Sequence, residues 1–191
     1  MATVPTPLLE VAAGQYGLFS VQQAAEGGVA DAVVRKLAAS DVLERRAQGV
    51  YRIAAFPISP ATEYMEAVLW AKGRGVIGGE AALVLWDLAD VNPRKIDLVV
   101  PKSYRPRRQG GELYRVRRVD LDAGDIDEVD GVPVVTPAVA IRQAIDSGVP
   151  ADLIEQAVRR AEARELIGRQ TSARLLVALY DRGAETRRAA T

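Results

Sequence analysis

The sequence predicts an α+β fold in two parts, and three observations carry that reading. Residues 17–53 pass from helical to strand-like patterning within a short span. Residues 54–60 hold two prolines and little periodicity, and residues 96–135 concentrate β-branched runs between helix-like segments. The expected division is a first domain over residues 1–56 and a larger one over residues 57–191.

In the first part, Ser20 followed by Gln23 fits a capping box, so a helix should start at Ser20. Gly27 and Gly28 should end it, because glycine supplies the positive φ of a sharp exit. A second helix is expected over about Ala30 to Ser40, with Val33, Val34 and Leu37 on one side and Arg35 and Lys36 near the opposite side. Two strand-like runs follow, Leu43-Glu-Arg-Arg46 and Val50-Tyr-Arg-Ile53, joined through Ala47-Gln48-Gly49 in a bulged hairpin turn. Tyr51 and Ile53 should face the helices and Arg52 should face away. Helix, glycine turn, helix and hairpin in this order make a winged helix-turn-helix.

The second part should open with a helix capped by Ser59 and Pro60 that turns Tyr64, Met65, Val68, Leu69 and Trp70 toward a core. Another helix is expected over about Glu80 to Leu88, and both Trp70 and Trp86 read as packing residues. Ile96 to Val100 has the composition of a buried strand, and Leu113 to Val119 that of a half-exposed one. A short strand through Val132 to Val135 should lead to a helix started by Thr136-Pro137. Helices over Pro150 to Leu166 and Thr171 to Tyr180 should follow, with residues 183–191 frayed. Together these make a larger helical domain with a small mixed β-sheet.

Composition narrows the chemistry. Hydrophobic residues make up 49% of the chain, ample for a core without covalent staples. The absence of cysteine removes disulfides and thiolate metal sites. The absence of histidine removes the commonest general base and zinc ligand. No phosphate loop and no dinucleotide fingerprint occurs, and no lysine has the acidic residue two positions earlier that a nuclease-like motif would need. No catalytic residue, cofactor or metal is therefore expected. With no signal-peptide pattern and no apolar run of bilayer length, the expected location is the cytoplasm, without a membrane partner.

In a helix-turn-helix the second helix enters the major groove while flanking cations hold phosphates. Arg35, Lys36, Arg45, Arg46 and Arg52, with Gln48 at the hairpin tip, are the candidate DNA-binding residues. The first sixty residues nevertheless carry as many acids as bases, with Glu26, Asp31 and Asp41 near the proposed surface. Charge is also segregated further along. Residues 102–118 hold seven basic side chains and one acid, and residues 120–130 hold six acids and no base. Arg105, Arg107, Arg108, Arg115, Arg117 and Arg118 could form a patch for nucleic acid or an acidic partner, or the acidic run could fold back and neutralise them.

Several segments resemble the AbiEi-type antitoxins of bacterial type IV toxin-antitoxin pairs. They are Gly17-Leu-Phe-Ser20, the wing run Arg46-Ala-Gln-Gly-Val-Tyr-Arg52, the small-residue stretch from Gly78 to Leu88, Val91 to Pro101, and Gly131-Val-Pro-Val-Val-Thr-Pro137. Ala30-Asp31-Ala32 departs from the pattern, being apolar and acidic where the family often has Ser, Thr or Arg. The resemblance implies a head that binds operator DNA of its own promoter and a larger domain that opposes a nucleotidyltransferase-like toxin. Two alternatives remain at this level: a ligand-sensing winged-helix regulator, and a metal-dependent nuclease using Glu80, Asp87 and Asp97.

Overall fold

The computed structural model describes residues 3–106 and 111–189 of the chain. Its elements form a mixed α+β architecture with two sheets. The amino-terminal part runs α1 (Thr6–Ala13), β1 (Leu18–Ser20), α2 (Val21–Glu26), α3 (Asp31–Ala39), β2 (Leu43–Ala47) and β3 (Val50–Ile53). Its three strands are antiparallel in the order β1-β3-β2, an arrangement consistent with a winged helix-turn-helix.

The capping box expected at Ser20 is present. The Ser20 hydroxyl accepts from the Gln23 backbone N–H at 3.2 Å, and the Gln23 side chain accepts from the Ser20 N–H at 2.8 Å. Helix α3 lies within one residue of its expected span, and Val34 and Leu37 are buried while Val33 is exposed. Helix α1 is not among the expected elements; Pro7 sits in its first turn, where proline is tolerated. It contributes Leu8 and Ala12 to a small core with Phe19, Val34, Leu37 and Tyr51. Gly17 closes the approach to β1. Its φ is +79°, and a Cβ there would lie 2.5 Å from the Phe56 side chain, so only glycine fits.

The remaining chain runs α4 (Thr62–Trp70), β4 (Val76–Ile77), α5 (Gly79–Leu85), β5 (Ile96–Val100), β6 (Tyr114–Arg118), β7 (Ile126–Val129), β8 (Val132–Val135), α6 (Pro137–Ser147), α7 (Ala151–Ala163) and α8 (Arg169–Ala189). The five strands form a mixed sheet in the order β6-β5-β4-β8-β7, with β5-β6 and β4-β8 parallel. Strand alternation sorts its two faces. Leu98 closes on Gly75, in the segment that follows α4, and Tyr114 packs on Trp70, whereas Asp97 and Val99 approach Gly79 and Gly78 at the start of α5. Helix α4 thus covers one face, and α5 and α6 cover the other.

Several boundaries differ from expectation. Helix α4 begins at Thr62, after Ser59 and Pro60, and the Thr62 hydroxyl accepts from the Ser59 N–H at 3.0 Å. Helix α5 stops at Leu85 because Asp87 takes a left-handed φ of +52°, although Leu88 is still buried. Residues 183–189 continue α8 instead of ending it. Trp70 is 2% exposed; Trp86 is partly buried and donates to the Val135 carbonyl at 2.9 Å. Both are packing residues, as expected.

Helix α4 is buried on nearly every side, residues 64–70 included, because it is wedged between the two sheets. Leu18 and Val50 of the amino-terminal sheet join the larger core with Met65, Val68 and Leu69. Tyr16 adds a polar tie by donating its hydroxyl to the Asp130 carbonyl. No helix among the described residues is long and apolar enough to cross a membrane.

Candidate nucleic-acid interface

Strand β3 is the central strand of its sheet and is buried along its whole length. Alternation sends Tyr51 and Ile53 toward α1–α3 as expected, and sends Val50 and Arg52 to the opposite face. That face is covered by α4 and by the segment around Phe56, so the expectation that Arg52 meets solvent is corrected. Its side chain is 4% exposed. It donates to both Glu44 oxygens, at 3.0 and 2.7 Å, and to the Phe56 carbonyl. A guanidinium so enclosed and satisfied is a structural tie between β2, β3 and the following loop.

Replacement of Arg52 by alanine should therefore cost about 1–3 kcal/mol in a denaturant titration, because its charge-assisted hydrogen bonds disappear. The salt dependence of duplex binding should stay as in the parent. A variant of native stability with weakened duplex binding would return Arg52 to the interface.

Arg46 divides its allegiance. The β2–β3 register shifts between Arg45 and Ala47, so Arg46 is the extra residue of a bulge, which re-aims its side chain. Its Nε donates to Glu66 Oε2 at 3.0 Å. Glu66 sits in the enclosed helix α4 at 8% side-chain exposure, where a carboxylate needs such a partner, while Arg46 keeps 37% of its own surface.

The other head candidates remain accessible. Arg45 pairs in register with Tyr51, on the sheet face that α3 shares, and is exposed. Lys36 and Gln48 are exposed. Arg35 is 70% exposed and bound to Asp31 one turn earlier at 2.7 Å, a surface pair of small worth. Arg35, Lys36 and Arg45 are the cations that helix α3 and the hairpin hold outward.

The second cationic group is only partly brought together. Arg107 and Arg108 lie outside the described residues. Arg105 is exposed, and Arg118 donates to the Lys102 carbonyl at 3.3 Å. Arg115 and Arg117, two apart on β6, face the α5/α6 side with Asp97 of β5 between them. Arg115 reaches Glu80 at 3.3 Å and Asp97 at 3.5 Å; Arg117 reaches Asp97 at 3.3 Å and the Ser147 hydroxyl at 2.6 Å. Burial pushes the Asp97 carboxyl above its ordinary range, and the two guanidiniums offset this only in part. Gly79 makes room for that carboxylate. A Cβ there would lie 2.8 Å from Asp97 Oδ2, at a φ of +51°.

Among the described residues the acidic run does not fold back onto the basic one. Strand β7, which carries Asp127 and Glu128, and strand β6 occupy opposite edges of the five-stranded sheet. Among the described residues no ion pair joins the two runs, although Asp120 accepts from the Lys102 backbone N–H at 2.9 Å. Nor do Glu80, Asp87 and Asp97 converge. Glu80 and Asp97 meet at Arg115, Asp87 lies by Arg160 at 3.8 Å, and no group of three potential metal ligands occurs among the described residues.

Comparison with known proteins singles out the head. Residues 7–54 match a family model described as "Transcriptional regulator, AbiEi antitoxin", and the downstream segments that resemble this family lie outside the match. No curated protein matches the chain. Among solved structures, the chain is similar to the RV2827C protein from Mycobacterium tuberculosis at 14% identity. That alignment covers 93% of this chain and 83% of the other, with a TM-score of 0.42.

Proposed function

From an amino-terminal segment that matches the AbiEi antitoxin transcriptional regulators, we propose that this chain is an autoregulating antitoxin. Residues 1–56 form a winged helix-turn-helix that binds operator DNA in its own promoter. Residues 57–191 form the unit that opposes a nucleotidyltransferase-like toxin. The observation that carries the first half is the outward set of Arg35, Lys36 and Arg45 on helix α3 and the adjoining hairpin, within the matched span. Helix α3 supplies a groove-sized element, and the hairpin supplies a flanking contact to the backbone. Gln48 at the hairpin tip adds a neutral hydrogen-bonding group.

The second half rests on the family description and on charge. Arg115 and Arg117 form a pair steadied by Asp97, with Arg105 and Arg118 on neighbouring surface, which suits a carboxylate-rich or phosphate-bearing partner. Arg115 and Arg117 are on the sheet face away from α4, whereas Arg118 alternates to the α4 side, so the pair at Asp97 is the part of this patch set apart from the head.

A two-part cellular assay tests the proposal. The chain should repress a reporter driven by its own upstream region, and its co-expression should restore growth to cells making the nucleotidyltransferase-like protein encoded beside it. Full reporter activity would sink the DNA-binding half, and continued growth arrest would sink the antitoxin half.

A further inference from the structure

The cleft between the hairpin and the larger unit carries cations that the head reading leaves unused. It has a volume of about 220 Å³, and Arg46, Glu66, Arg94, Lys95 and Tyr114 line it. Arg94 and Lys95 stand in the bend that enters β5, directly after Pro93, and both are exposed. Neither makes an ion pair among the described residues. Glu66 in the same cleft is already bound to Arg46, and of the lining acids only Glu63 is left to offset Arg94 and Lys95. Two adjacent like charges repel, so leaving them side by side with one lining acid between two cations favours a further anion between or across them.

The hairpin stands between two cationic groups. On the α3 side are Arg35, Lys36 and Arg45; on the α4 side, past the bulge at Arg46, are Arg94 and Lys95. We propose that Arg94 and Lys95 hold the phosphodiester backbone of the same duplex that the head binds, so that the operator interface extends beyond the wing onto the larger unit. The inference rests on the head's DNA-binding role and adds residues outside the segment that the family model matches. Duplex DNA presents a phosphate charge about every 1.7 Å along its axis. A duplex that lies across the hairpin and reaches this cleft would have a phosphate to offer each of the two cations. Pro93 restrains the approach to Arg94, which lowers the ordering cost of the contact.

The experiment compares the full-length parent with R94A/K95A and with R159A/R169A, a control removing two exposed cations of α7 and α8. Fluorescence anisotropy with a duplex from the chain's own upstream region is read from about 50 to 200 mM salt, the range over which phosphate neutralisation dominates the affinity change. R94A/K95A should lower the log-log salt slope by about 0.9 for each phosphate it no longer neutralises, while the control keeps the parent slope. Thermal unfolding checks that both variants remain folded. A parent slope in R94A/K95A, or an equal drop in both variants, overturns this inference while leaving the head reading intact. No duplex binding by the parent overturns both.

Discussion

Trp70→Ala should be the most damaging single substitution in this chain, costing about 3–5 kcal/mol of stability. Trp70 closes helix α4 at 2% exposure and packs against Tyr114 with ring centroids 4.9 Å apart. Its helix packs against both sheets, so the cavity left by the indole would open where the two parts of the molecule join. For a chain of this size the substitution should lower the unfolding midpoint by about 6–20 °C. Calorimetry or a circular-dichroism melt reads the change. A shift below about 2 °C, the smallest that a single kcal/mol would give, would mean that the wedge role assigned to α4 is wrong.

The second large effect concerns R35A/K36A/R45A. These three side chains are exposed, none supports a buried charge, and their removal should leave the melting curve close to that of the parent. Duplex affinity should fall, and the log-log salt slope should flatten by about 0.9 for each phosphate that they neutralise. If one of them instead reads a base edge bidentately, its removal should cost on the order of 1–3 kcal/mol and relax sequence preference. Arg46 and Arg52 are excluded from this set because removing them would also unbalance Glu66 and the loop at Phe56. A phenotype at either would mix folding with binding.

Much of the fold is legible in the residues, and the exceptions share physical causes. The Ser20 capping box, helix α3 and the strand Ile96–Val100 each carry a local signal that tertiary packing reinforces. Helix α1 is hidden by its prolines. Strand β7 is hidden by Asp127 and Glu128, which suit an exposed edge but lower strand propensity. Strand β1, three residues long, gives no periodic signal either, and its omission misplaces Arg52. With only β2 and β3 in view, the residue next to Tyr51 would meet water. Once β1 flanks β3 and α4 covers the far face, alternation still turns Arg52 away from the helices, but into protein. The pairing of Arg115 and Arg117 with Asp97 is equally invisible, since it joins strands across 18 and 20 positions of chain. A buried acid inside a β-branched run is the available hint, because such a carboxylate needs a cationic partner.

The central claim is that helix α3 and the hairpin form a DNA-reading surface, and equilibrium binding of the parent chain to two duplexes tests it most directly. One duplex comes from its own upstream region, and the other has the same length and base composition in scrambled order. At near-physiological salt the first should bind at least about 10³-fold more tightly, and both should weaken as salt rises. Equal affinities that ignore salt, or no binding to either duplex, would contradict the account.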